Sequence, residues 1–315
     1  MKLSIVVCAY NEEESIGPLL ENLQRQEVSP EIADREIIVV ASGCTDGTVD
    51  VVKSHMSGDE TINLIEEHAR LGKASALNKA FEASSGDYIV LVPADVEPAD
   101  KALLNLLAPF NDEAVSAVSG NPLQTPRNAP RNTAGCLARK TYRLWSRLNR
   151  RLNDVGQMAH CSGELMALRG TVKSNVPSEC AADDSYIAVM AKKKGLIKFA
   201  SNAVCYNILP SNVADYVNQR RRWLFGHFQT KKMTGEYPTV MDTLVLSRPH
   251  LVLQILAEEI RESPSEAGHL LSVIVVEAVV YLLSMLDRLF SRQKAIWPVI
   301  TSTKRIRSVG EEGRR

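Results

Sequence analysis

The sequence predicts an α/β protein built on a mostly parallel sheet flanked by helices, and three observations predict it. Short β-branched and aliphatic runs alternate with helical stretches through the first 120 residues. Those runs are apolar throughout, as strands covered on both faces are. Small and acidic residues follow them directly, at the strand ends where an open α/β sheet places its ligand.

The elements follow in order. Leu3–Val7 predicts the first strand, and Glu12–Gln24 a helix with Ile16, Leu19, Leu20 and Leu23 at 3.6-residue spacing. Glu36–Val40 is the next strand, and Asp46–His55 the next helix, with Asp46 and Asp50 suited to its N-terminus. Ile62–Glu66, Lys73–Ala83, Tyr88–Val92, Lys101–Leu107 and Ala114–Ser119 continue the series. In the second half, His160–Arg169 is a polar opening onto a strand, Ala181–Tyr186 begins a helix, and a long helix runs from about Val213 to Lys231. The chain divides into a first half over 1–120, a second half of the same domain over 121–235, and a helical extension over 236–315.

Two helices raise the question of a lipid surface. Along Leu137–Val155, Leu137, Leu144, Trp145, Leu148, Leu152 and Val155 lie on one side, while Arg139, Lys140, Arg143, Arg147, Arg150 and Arg151 crowd the others. A basic amphipathic helix of this kind lies on anionic lipid, meets phosphate groups, or docks on a sheet with its basic face in water. Leu270–Leu286 is mostly apolar and near the lower length limit for a bilayer span, but Glu277 falls at its centre, where an unpaired carboxylate is costly. A buried or interfacial helix is expected there, with a basic tail (Arg288, Arg292, Lys294, Lys304, Arg305, Arg307) beside anionic headgroups.

Composition narrows the function classes. Hydrophobic residues at 45% and charged residues at 23%, with ordinary glycine and proline content, exclude disordered and collagen-like chains. Thirty-seven basic residues balance 37 acidic ones, which gives no global electrostatic reason to bind nucleic acid. The six cysteines are far apart and lack zinc-finger spacing, so they are expected to be reduced. With the short apolar opening, which ends at Asn11-Glu12, this predicts a cytoplasmic setting without a secretory leader.

The strand ends carry the chemistry. Cys8-Ala9-Tyr10-Asn11-Glu12 follows the first, Ala41-Ser42-Gly43-Cys44-Thr45-Asp46-Gly47-Thr48 the second, and Pro93-Ala94-Asp95-Val96-Glu97-Pro98 the strand that begins at Tyr88. No G-x-G-x-x-G follows a strand and no G-x-x-x-x-G-K-[ST] occurs, which argues against dinucleotide and P-loop sites. An acidic group at a strand end suits a divalent cation holding a diphosphate. Each of these also has a plainer reading: Asn11 and Asp46 as helix starts, Asp95 as a turn carboxylate, Asp183-Asp184 as a helix cap.

Taken in order, these residues carry a resemblance. Ser4-Ile5-Val6-Val7 to Tyr10-Asn11-Glu12, Ile37-Ile38-Val39-Val40 to Thr45-Asp46-Gly47-Thr48, Gly72-Lys73 to Ala76-Leu77-Asn78, Gly86-Asp87 to Asp95, Ser162-Gly163, Asp183-Asp184, and Gln219-x-x-Arg222-Trp223 succeed one another over about 225–230 residues. The chain resembles the inverting glycosyltransferases of family 2, which have the GT-A fold. The resemblance implies a nucleotide-diphosphate sugar donor, with Ala9, Tyr10, Asn11 and Glu12 lining the nucleoside pocket and Ser42, Lys73 and Asn78 beside it. It implies Asp95 on a divalent cation, Mn²⁺ or Mg²⁺, and Asp184 as catalytic base, with Asp183 in place of the family's Glu. Gln219, Arg222 and Trp223, with Ser162 and Gly163, are expected at the diphosphate and acceptor. The acceptor implied is a lipid-linked or cell-surface glycan.

Two departures stand out. Ala41-Ser42 replaces a pair of carboxylates, and Pro93 replaces the first Asp of the metal motif, with Glu97 expected at the surface. They motivate a second reading, a glycosyltransferase-like protein that binds or assembles without turnover.

Overall fold

Alternation along each strand divides the apolar residues between two cores, one on each face of a single sheet. We describe residues 1–124 and 132–289 of the chain from a computed structural model. The strands are β1 (Lys2–Ala9), β2 (Asp34–Ser42), β3 (Ile62–Glu67), β4 (Tyr88–Leu91), β5 (Val96–Pro98), β6 (Val115–Leu123), β7 (Met166–Arg169) and β8 (Leu196–Asn207). The helices are α1 (Ile16–Arg25), α2 (Thr48–Met56), α3 (Lys73–Ala83), α4 (Ala102–Leu107), α5 (Thr133–Asp154), α6 (Asp183–Lys192), α7 (Val213–Thr234), α8 (Met241–Ser247), α9 (Pro249–Glu262) and α10 (Ala267–Leu289).

The sheet order is β3-β2-β1-β4-β7-β6-β8-β5. β3, β2, β1 and β4 pair in parallel, β7 runs against both β4 and β6, β6 and β8 are parallel, and β5 runs against β8. Most strands therefore share one direction, as expected, while β7 reverses in the middle. Val6, Ile38, Val40 and Ile89 face α3, α5 and α6. Leu3, Ile5, Val7, Ile37, Val39 and Val90 face α1 and α4. Each such side chain, fully buried, stabilises the fold by about 1.5–3 kcal/mol.

Two strands have little sequence signal. β5 is three residues long and ends in Pro98. β8 includes Lys198, Ser201 and Asn202, and it is held by parallel pairing to β6, a long-range partner. Helix α1 starts at Ile16, later than its periodicity predicts, because Asn11 takes a left-handed backbone (φ 52°) and residues 12–15 form a turn. Asn132 caps α5 by accepting from Gly135 N at 3.0 Å, and Asn212 caps α7 by accepting from Asp215 N at 2.8 Å.

Of the readings open for the basic helix α5, the fold shows the docked one, but with much of its basic face paired to acids rather than standing in water. Lys140 Nζ donates to Glu259 Oε1 at 2.8 Å and Arg147 Nε to Glu259 Oε2 at 2.7 Å. Arg147 also pairs with Glu262, and Arg151 with Glu258. Helix α9 thus neutralises these cations with an acidic face that lies more than 100 residues on. Of the α5 apolar stripe, Leu144, Trp145, Leu148 and Leu152 pack into the core on the sheet, Leu137 packs in a separate cluster with Tyr216 and Val273, and Val155 is exposed.

Glu277 is not an unpaired charge either. It points inward from α10 to Arg220 on α7, while Leu271, Ile274, Val275, Val279, Leu282 and Leu286 face outward and exposed. The basic tail, from the Arg288 side chain through Arg292, Lys294, Lys304, Arg305 and Arg307, lies outside the described residues. All six cysteines are free.

Candidate active site

A cleft of about 420 Å³ opens over the carboxyl ends of β1, β2 and β4, in the size range of small-ligand sites. On one side it is lined by Ala9, Tyr10, Glu12, Ser42, Lys73 and Asp95. On the other stand Ser162, Gly163, Asp183, Asp184, Gln219, Arg222 and Trp223. The fold thus brings most of the sequence-predicted residues to one cavity.

Asn11 and Asn78 are placed differently and do not line it. Asn11 Oδ1 accepts from Thr45 N at 2.9 Å, clipping the two strand-end loops together. Asn78 brackets Val176, donating to its carbonyl at 2.9 Å and accepting from its N–H at 2.8 Å. Both amides are used in holding loops at the cleft edge.

The centre of the cleft is a charged trio. Lys73, the first residue of α3, donates to Asp183 Oδ2 at 2.8 Å, so an ion pair joins the two sides. Burial opposes the Lys73 charge, but Asp183 and then Asp184 outweigh it and raise its pKa, so Lys73 stays protonated. Asp184 touches the cleft yet is surrounded by protein. Burial and the neighbouring Asp183 charge raise its carboxyl to about 6, against the opposing pull of Lys73, Ser185 N–H and His227. A carboxylate with such a pKa is ionised at neutral pH and a stronger base than an exposed one.

Close packing fixes Asp184 in place. A Cβ on Gly163 would stand 2.9 Å from Asp184 Oδ2, and one on Gly226 would stand 2.4 Å from Ala182 Cβ. Only glycine at 226 lets α7 lie this close to Ala182, which brings the helix carrying Gln219, Arg222 and Trp223 against the start of α6.

Arg222 has no ion pair among the described residues, and its Nε is buried without a hydrogen-bond partner. A guanidinium in this state in a cleft is a site for an anion. Trp223 is fixed by Arg220, whose Cζ lies 5.2 Å from the ring centroid, and by an edge contact to Tyr142 at 6.1 Å.

Several cleft residues carry no strong sequence signal. The Arg70 guanidinium stacks 4.2 Å over the Tyr10 ring. Glu164 accepts from the Tyr142 hydroxyl at 2.6 Å and from the Ser162 hydroxyl, and Asn207 Nδ2 donates to Tyr142 Oη at 2.8 Å. His160 sits beside His227, and burial with that neighbour lowers its pKa to about 3, so it is neutral. Arg70 and Glu164 lie next to the Gly72-Lys73 and Ser162-Gly163 motifs, which is their sequence signal. Asp242 and His227 come from distant segments with no motif.

Asp95, the carboxylate expected on a cation, lines the cleft. Glu97 is exposed on β5, outside the cleft lining, in agreement with its expected surface position. No group of three or more His, Cys, Asp or Glu side chains that could hold a metal occurs among the described residues. One carboxylate in a cleft that can take phosphates fits Mg²⁺ or Mn²⁺, which commonly bind through one or two carboxylates and substrate phosphates.

Residues 4–171 match the model of glycosyl transferase family 2, more than half of the chain. The chain belongs to glycosyl transferase family 2. It is 24% identical over 242 residues to a poly-β-1,6-N-acetyl-D-glucosamine synthase of Staphylococcus epidermidis, covering 71% of this chain and 54% of that one. The Staphylococcus aureus (strain COL) synthase is 23% identical over 233 residues, with the same coverage. The chain therefore spans about half the length of these relatives. A mannosyltransferase from Pyrobaculum calidifontis, solved with GDP-Man and Mn²⁺, superposes with a TM-score of 0.62 at 23% identity, covering 92% of this chain and 87% of that one. The fold is of GT-A type, and this member of the family is a glycosyltransferase.

Proposed function

We propose that this glycosyltransferase inverts the anomeric centre as it moves a sugar from a nucleotide diphosphate to a hydroxyl of a lipid-linked or cell-surface glycan. The observation that carries this reading is Asp184: a raised-pKa carboxylate next in sequence to the Lys73–Asp183 bridge, lining the same cleft as Arg222, which has no ion pair among the described residues. An acceptor hydroxyl attacking opposite the leaving diphosphate must lose its proton as the bond forms, and Asp184 takes it. Arg222 meets the charge that grows on the leaving group. Tyr10, Glu12, Ser42 and Arg70 supply the donor side, and Trp223 with Tyr142 the acceptor side. A divalent cation, when bound, would neutralise diphosphate charge, and Asp95 is the residue to hold it.

Calorimetry with UDP, GDP, CDP and dTDP, each with and without Mn²⁺, tests the donor site. One of them is expected to bind about tenfold more tightly with the cation than without it. Binding of none would remove the donor-site reading, and binding indifferent to Mn²⁺ would remove Asp95 as its ligand.

The placement proposed is the cytoplasmic face of a membrane. Helix α10 supports it: its exposed face is apolar over several turns, and its Glu277 and Asp287 are turned inward onto arginines. The paired α5 cations do not contribute. Flotation with phosphatidylcholine–phosphatidylglycerol vesicles is expected to recover the protein, and Val275→Glu with Leu282→Glu to release it. Equal recovery of both proteins would exclude α10 as the contact.

A further inference from the structure

We infer that Glu277, on the outer helix α10, is a positioning residue for Trp223 and so shapes the acceptor side of the cleft from outside it. The inference rests on the reading of Trp223 as part of the acceptor side.

Helix α10 meets the long helix α7 through two acids. Glu277 takes Arg220, and Asp287 takes Arg221. These arginines are the two unspecified positions within Gln219-x-x-Arg222-Trp223, so the motif is fastened to α10 from inside. The two fastenings differ in what else they touch. Arg220 is buried, donates from Nε to Glu277 Oε1 at 2.8 Å and from Nη2 to Glu277 Oε2 at 3.0 Å, and stacks on Trp223. It also donates from Nη2 to Asp242 Oδ1 at 2.8 Å. Among the described residues, Arg221 pairs with Asp287 and it is Arg220, not Arg221, that lies over the Trp223 ring.

The geometry makes Glu277 the deciding partner. Two carboxylates pull on one guanidinium, and only their balance keeps it over the indole face. With Glu277 neutral, Asp242 is the remaining full charge on Arg220, and the guanidinium is drawn toward it. Cation–π attraction depends on the cation staying within about 6 Å of the ring centroid, so Trp223 loses its clamp on that side. A second route runs in parallel. The Tyr216 hydroxyl donates to Glu277 Oε1 at 2.7 Å and lies 2.7 Å from Thr141 Oγ1, next to Tyr142 at the edge of the Trp223 ring. Both routes lead from one α10 carboxylate to the two aromatic residues of the acceptor side.

The test uses the full chain labelled with 5-fluorotryptophan. Its three tryptophans give three ¹⁹F resonances, and Trp223→Phe identifies one of them. Glu277→Gln is expected to move the Trp223 resonance and leave that of Trp145 in place. Asp287→Asn, which loosens α10 through Arg221 alone, is expected to leave Trp223 unmoved, although it lowers the melting temperature. The tightest nucleoside diphosphate should bind both variants within about twofold of the parent, because the donor side is untouched. An unmoved Trp223 in Glu277→Gln, or an equal shift in Asp287→Asn, overturns the inference, since docking of α10 alone would then account for both. Loss of nucleotide binding in the parent protein instead counts against the donor-site proposal, independently of the ¹⁹F result.

Discussion

Asp184→Asn is expected to lower the transfer rate by about 10³-fold while nucleotide diphosphate binding stays within about twofold, because general-base catalysis contributes about 10²–10⁴ and the amide cannot take a proton. The substitution keeps the side-chain shape against Gly163 and the Ser185 N–H, so the cleft is preserved. The same carboxylate sets a pH profile for the parent enzyme. A base must be unprotonated, and with its pKa raised to about 6 the rate should climb as pH rises through that value and level off above it. Rates measured from pH 5 to 8 check this. Turnover of the Asn variant comparable to the parent, or a parent rate flat across that window, would sink the assignment.

Arg220→Met is expected to destabilise the fold by about 3 kcal/mol, the usual scale for removing one partner from a buried charge cluster. Arg220 is 9% exposed as a side chain, Asp242 12% and Glu277 24%, so both carboxylates would be left poorly solvated. The pH dependence has a definite sign. Burial alone would raise the Asp242 pKa, but Arg220 and His227 hold it well below the usual carboxylate range. Its stabilising contribution is therefore complete above the unfolded-state pKa and lost as pH falls toward the native value. Without Arg220 the native pKa rises toward the unfolded value, so that contribution shrinks and the stretch of acid pH over which it is lost narrows from its lower end. Urea unfolding at pH 7 and pH 3 would check both parts: the gap between parent and variant is expected to narrow at pH 3, and a variant within about 0.5 kcal/mol of the parent at pH 7 would mean the cluster contributes little.

The first strands were legible because parallel, doubly covered strands leave continuous apolar runs, as in Leu3–Val7 and Ile37–Val40. The cleft-lining motifs were legible because polar residues after such runs must sit at strand ends, where Tyr10, Ser42 and Asp95 are found. β8 was not, since its pairing to β6 depends on a partner about 80 residues away. Asn11 and Asn78 illustrate another limit. An amide in a motif can face the ligand or brace a loop, and sequence does not say which.

The sequence by itself determined the α/β class, the family resemblance and the identity of the paired aspartates, because all three follow from local pattern and motif order. Tertiary structure decided which charges are available. Arg143, Arg147 and Arg151 read like Arg222 as isolated residues, yet α9 pairs the first three with glutamates and leaves Arg222 open to the cleft. The same is true of Glu277, costly as a lone charge in an apolar helix and neutralised once α7 lies against it. Charge is a property of a residue, but its compensation comes from neighbours that are distant in the chain, and only the folded arrangement supplies them.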